Sequence, residues 1–124
     1  MTETFVLNTK PVAKGRPRLG RWGAFTPQKT RDAEEEVRWF FRNLWKHPII
    51  TGPVEVSLVF QHGHKKNKGP KVTRSDIDNQ AKLILDCLNE IVVLDDAQVW
   101  KLDASKVWGK DDSITVTITW GVDK

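Results

Sequence analysis

Between Arg74 and Val99 the chain reads RSDIDNQAKLILDCLNEIVVLDDAQV, and few arrangements satisfy that order of residues. Ser75 is an N-cap residue type and Asp78, three positions on, stands where a capping-box acid belongs, so the spacing predicts a helix starting near Asp76. Ile77, Ala81, Ile84, Leu85 and Leu88 recur at helical intervals and give this helix one buried face. Asp78, Lys82 and Asp86 follow at steps of four, each rotated only about 40° from the one before. A polar stripe therefore runs beside the apolar one, and the pair Asp95-Asp96 follows soon after.

Two readings account for these acids. In one, Ser75 and Asp76 cap the helix, Asp78 and Asp86 pair with Lys82, and Asp95-Asp96 makes a turn; acids near a helix N-terminus are favoured by its dipole. In the other, Asp76, Asp78 and one of Asp95 or Asp96 converge on Mg²⁺, a hard cation that prefers carboxylate oxygen. Lys82 then faces a phosphate.

The rest of the chain bears on that choice. Its 124 residues make one domain, 1–124, and a hydrophobic content of 39% predicts a folded protein with a thin core. The charge is grouped. Residues 10–31 and 61–74 hold twelve of the twenty basic residues and no acid, which leaves eight basic against sixteen acidic residues elsewhere. Two cationic loops on an acidic body suit a polyanion, and nucleic acid is the usual one. Cys87 cannot form an internal disulfide and reads as a small packed side chain. The opening MTETFVLNTK lacks the parts of a signal peptide and Ile91–Leu94 is too short to span a membrane, so a soluble cytoplasmic protein without membrane partners is expected.

In chain order, Phe5–Leu7 reads as a strand and PVAKGRPRLGRWGAFTP as a loop, in which Trp22 and Phe25 either stack on a base or, the preferred reading, anchor the loop to the core. Thr26-Pro27 starts a helix whose inner face carries Ala33, Val37, Phe40, Phe41 and Leu44. Val54, Val56, Leu58 and Phe60 alternate as a strand, and Val59 suggests cover on both faces near its end. After the central helix come two strands, from about Val99 to Trp108 and from Ile114 to Trp120, joined by a hairpin turn at Gly109–Asp112. The fold class is α/β (α+β): a small mixed β-sheet packed by two helices, in the order β-α-β-α-β-β. His62 and His64 lack partners at zinc-site spacing, and neither a phosphate-binding G-x-x-x-x-G-K-[ST] loop nor a G-x-S-x-G elbow is present, so no nucleotide cofactor is expected.

Taken together the motifs resemble the RusA family of Holliday junction resolvases, crossover junction endodeoxyribonucleases frequent in phages and prophages. The residues that carry the likeness are K-G-R-P-R at Lys14–Arg18, F-T-P at Phe25–Pro27, D-I-D-N-x-x-K at Asp76–Lys82, L-D-x-L-N at Leu85–Asn89 and L-D-D-A-Q-V at Leu94–Val99. The resemblance implies a hydrolase acting in DNA recombination and repair, with Asp76, Asp78, Lys82 and Asp96 as catalytic residues. It implies Mg²⁺ as cofactor, with Mn²⁺ able to substitute, held by Asp76, Asp78 and Asp96. It also implies a homodimer on branched DNA, the four-way junction.

Lys14, Arg16, Arg18, Arg21, Lys65, Lys66, Lys68 and Arg74 are the DNA-binding candidates, since phosphate contacts position a duplex without reading its sequence. Asn79, Asp95 and Gln98 are candidates for holding the carboxylates in place. Three positions depart from the family pattern: Ser75 where arginine or proline occurs, Gln80 where leucine is frequent, and Glu90 where a glycine often ends the helix. The alternatives are a non-catalytic DNA-binding module and a metal-dependent nuclease for other branched or single-stranded DNA.

Overall fold

Period-two alternation builds the sheet. In the computed structural model, which describes residues 1–15, 18–20, 23–25, 28–72 and 76–121 with the side chains of 18–20 and 23–25 left aside, strands β1 (Thr2–Leu7), β4 (Val54–Gly63), β6 (Val99–Gly109) and β7 (Ser113–Thr119) are joined by a two-residue β5 (Gly69–Pro70). Their order across the sheet is β1-β7-β4-β6-β5. β7 lies antiparallel to both β1 and β4, whereas β4 and β6 run parallel. Val54, Val56, Leu58 and Phe60 of β4 and Ile114, Val116 and Ile118 of β7 form the buried series. Threonines line the other face, with Thr2–Thr119 and Thr4–Thr117 hydroxyl contacts at 3.3 and 3.1 Å.

Parallel strands require a crossover, and here it contains α2 (Ile77–Leu88), the helix that carries the acids. α1 (Gln28–Leu44) packs against α2, and both share one core with β4 and β7. Cys87 is wholly buried there, and burial pushes its thiol up to about 12, so it acts as packing.

The mixed sheet under two helices matches the expected fold class, with four local differences. β6 and β7 are not a hairpin, because β4 lies between them and the 110–112 turn crosses over the end of β4. Gln61 Nε2 donates to the Asp111 carbonyl at 2.7 Å and the Gly63 N–H to Asp112 Oδ1 at 2.7 Å. A Cβ on Gly63 would lie 3.2 Å from the Asp112 nitrogen, so that close crossing suits a glycine. The stretch expected to be all loop contains a small hairpin, β2 (Arg18–Gly20) with β3 (Gly23–Phe25). Leu44 is 38% exposed, and Trp45, one residue beyond α1, enters the core in its place. Finally, Trp100 and Leu102 of β6 are exposed despite their alternation, since β5 covers only the far end of that strand. Val59 is half-buried, and Thr26, Pro27 and Trp22 lie outside the described residues, as does the side chain of Phe25.

Candidate active site

Helix α2 begins one residue later than its sequence suggests, with Asp76 rather than Ser75 as N-cap; Ser75 itself is outside the described residues. The Asp76 side chain makes no capping bond. Among the described residues it meets only the Asn79 amide, at 3.4 Å, while Asp78 Oδ1 accepts from the Asn79 N–H at 3.0 Å. Among the described residues neither acid forms an ion pair, and Lys82, exposed on the same stripe, forms none either. The pairing of Lys82 with Asp78 and Asp86 is therefore absent.

Asp86 is taken by another cation. Lys14, from the first basic loop, donates to Asp86 Oδ2 and lies 3.6 Å from Glu34 of α1. Its hydrogen bond with Asp86 raises the Lys14 ammonium above its ordinary value, against the opposing effect of burial. The loop is also pinned through its backbone: Lys14 N–H donates to the Asn79 carbonyl at 2.9 Å, and Gly15 N–H to Thr30 Oγ1 at 2.9 Å. Lys14 and Gly15 are thus fixed between the first turn of α2 and the first turn of α1.

Asp95 and Asp96 have separate tasks. Asp95 caps a short 3₁₀ turn, Asp96–Gln98, by accepting the Ala97 N–H at 2.9 Å, while its own N–H donates to Gln98 Oε1 at 2.9 Å. Gln98 Nε2 then ties the turn to the Ile50 and Gly52 carbonyls, both at 2.8 Å. Asp96 is thereby held, half-buried, in a turn anchored at its two flanks. Burial, hydrogen-bonding proximity to Asp95, and the charges of Asp86 and Asp95 hold its carboxyl above the usual carboxylate range.

The structure thus brings Asp96 to Asp86 and Asp95. Asp78 sits two helical steps of four, about 12 Å along the axis, from Asp86. Among the described residues no three His, Cys, Asp or Glu side chains gather closely enough to hold a metal ion. The donor chemistry fits a divalent cation all the same: every candidate is a carboxylate, Asp76 and Asp78 carry no cation among the described residues, and Asp96 stands among like charges.

Of the basic candidates, Lys65, Lys66 and Lys68 are exposed in the loop between β4 and β5. Arg16, Arg21 and Arg74 lie outside the described residues, as does the Arg18 side chain. His64 organises the loop, its Nδ1 accepting the N–H groups of Lys66 and Asn67 at 3.1 and 3.0 Å. Lys71 is buried with its ammonium 4.9 Å from the centre of the Trp108 ring. Beneath them, the Gln80 amide nitrogen lies 3.2 Å from His62 Nε2, and Gln80 Oε1 is buried with no partner among the described residues. Desolvation, then the charge of Lys71, lowers the His62 pKa. His62 thus braces the base of the basic loop against α2, and His64 braces it against the Trp108 ring of β6. Sequence spacing gave no sign of this, because their partners come from α2 and β6.

No helix among the described residues is long and apolar enough to cross a membrane. The chain is 30% identical to the uncharacterized protein YqaN of Bacillus subtilis (strain 168), over 92% of this chain and 93% of that protein. The family model for endodeoxyribonuclease RusA matches residues 8–119, a span that takes in α2, the Asp95-Asp96 turn and both basic loops. The chain belongs to the RusA endodeoxyribonuclease family.

Proposed function

We propose that this protein is a Mg²⁺-dependent resolvase that hydrolyses opposed phosphodiesters of a four-way DNA junction, acting as a homodimer in recombination and repair. The observation that carries this reading is the division of labour at the acids. Asp86 and Asp95 are engaged in structural contacts, whereas Asp76, Asp78 and Asp96 keep carboxylates without a cation among the described residues. Those three would hold the cation, which supplies the charge that acidifies an attacking water and offsets charge building on the phosphate.

The chain's own residues do the rest. Lys82, one helical turn beyond Asp78, places an exposed ammonium where a phosphate entering over α2 gains negative charge. Asp95 and Gln98 keep the turn that presents Asp96 from fraying. Exposed Lys65, Lys66 and Lys68 bind backbone phosphate, together with the arginines of the K-G-R-P-R loop, and this predicts affinity that falls steeply with salt. Four-way junctions have approximate two-fold symmetry, and a C₂ dimer offers each opposed strand one site. A bacterial cytoplasm, with the gene carried by a phage or prophage, is the setting this reading expects.

A second reading has a specific observation behind it. Because no three acids gather closely among the described residues, the chain could bind junctions without cutting them. A labelled four-way junction, a fork and a linear duplex, each incubated in Mg²⁺ or Mn²⁺, separate the cases. Paired nicks confined to the junction are expected. Tight junction binding with no cut in either metal would leave a binding module, and equal cutting of the fork would replace the junction by other branched DNA.

A further inference from the structure

We propose that the outer edge of β6 is where two copies of this chain join, strand against strand, about a two-fold axis through Leu102. The reading above supplies only the expectation of a dimer; the surface and its register come from β6 itself.

β6 is eleven residues long, yet its outer neighbour β5 meets only Trp108 and Val107, and the Lys71 N–H extends that pairing to the Lys106 carbonyl at 3.0 Å. Among the described residues no strand covers the edge from 99 to 105. A long open edge is a template for another strand, and chains usually block it with charge, proline or a bulge. Here the register shift between Val54 and Glu55 leaves Trp100 without a partner on β4, but the strand continues regularly from Lys101. Trp100 and Leu102 are 65% and 44% exposed, the only large apolar side chains along that edge.

The charges on the edge complement themselves. Lys101 and Asp103 flank Leu102 evenly and share the open face of the sheet, opposite Glu55 and Ser57 of β4. Antiparallel pairing of β6 with its own copy about Leu102 therefore places each Lys101 opposite the partner's Asp103. Moving the axis to Lys101 would set lysine against lysine, and moving it to Asp103 would set aspartate against aspartate. Like charges directly opposite are destabilising, and among two-fold axes along this edge only the one through Leu102 sets Lys101 and Asp103 opposite each other. Asp103 forms no ion pair among the described residues, and Lys101 lies 3.6 Å from Glu55, close enough to be shared.

Apolar contacts agree with this register. Leu102 lies opposite Val56 and Ala104 opposite Leu58, in the series that faces the helices. Across the axis Leu102 meets the partner's Leu102 and Trp100 passes the partner's Ala104, a large ring beside a small side chain. The two sheets become one, and their cores become continuous.

Charge reversal tests the register. Lys101→Glu and Asp103→Lys change exposed side chains, and thermal unfolding of each variant checks that it folds. Analytical ultracentrifugation should show the wild type as a dimer and each variant alone weakened roughly tenfold or more, since both cross-axis pairs become repulsive. An equimolar mixture of the two variants restores both attractions and should recover association to within about threefold of wild type. A monomeric wild type, single variants that dimerise normally, or a mixture that fails to recover would each overturn the proposal. Junction cleavage by the wild type is read separately: a dimer with this register that cuts nothing would sink the nuclease reading alone, and cleavage by a dimer indifferent to these charges would sink the edge pairing alone.

Discussion

Lys14 closes an ion pair with Asp86 across 72 residues of sequence, and Asp86 in turn lies beside Asp96. The first basic loop is thereby attached to the middle of the acidic helix, so the lysine that looks most like a phosphate ligand is already engaged.

Loss of that pair should loosen the loop. Asp86→Asn keeps the shape of the side chain and removes the charge that Lys14 faces, leaving Glu34 at 3.6 Å as its remaining partner. A partly exposed pair of this kind contributes about 1 kcal/mol, so urea unfolding should show a loss of that order. Unchanged stability would mean that the loop is held by its backbone bonds to Asn79 and Thr30 alone.

The two neighbouring acids of the 3₁₀ turn should respond differently to amidation. Asparagine caps a helix start about as well as aspartate, so Asp95→Asn should cleave a junction within a few-fold of wild type. Asp96→Asn should lose about a hundredfold or more, because its charge rather than its shape is needed. Equal losses at both positions would show that Asp95 also reaches the cation.

His62 should make stability depend on pH near neutrality. Its pKa is lowered in the folded protein by desolvation and by Lys71, with Lys106 adding in the same direction and Gln80 and Asp112 opposing. Below the unfolded value of 6.5 the unfolded chain takes up a proton that the folded chain refuses. Stability is then fully present above that pH and declines as pH falls towards the folded pKa. Chemical denaturation between pH 5 and 8 should show this slope, and His62→Gln should flatten it; an equal slope in the variant would place the titration elsewhere.

At the exit of α2, Glu90 adopts φ of 67°, the left-handed conformation in which glycine is at ease. Its N–H donates to the Val93 carbonyl at 2.7 Å, so the turn is fixed despite the side chain. Glu90→Gly should raise stability by about 0.5 to 1 kcal/mol, seen as a higher melting temperature. A lower one would mean that the carboxylate makes a compensating contact.

The parts of this protein legible in its sequence are those whose information is local. The alternation of β4 and β7 follows from side-chain period, whereas on α2 the period marks Ala81, Ile84 and Leu88 correctly but leaves out the buried Gln80, Leu83 and Cys87, and Ile77 and Leu85 are only half-buried. Strand neighbours are not local: Ile114–Trp120 reads equally well as the hairpin mate of β6 or of β4, and only packing chooses β4. Likewise Trp100 and Leu102 alternate as buried residues do, but burial depends on what covers the edge. At the site, Asp76, Asp78, Lys82, Asp95 and Asp96 stand out by motif, whereas the engagement of Asp86 by Lys14 depends on a loop folding back from far upstream. Gln80 and Glu90, visible only as departures from a pattern, occupy a buried contact with His62 and a left-handed turn.

The claim that Asp78 belongs to a metal-dependent cutting site is tested most directly by strand cleavage of a labelled four-way junction by wild type and Asp78→Asn, in Mg²⁺ and in EDTA. Paired nicks are expected from wild type in Mg²⁺ only and none from the variant, whose junction binding should persist or tighten as a negative charge near phosphate is lost. Cleavage by Asp78→Asn at the wild-type rate, or by wild type in EDTA, would contradict it.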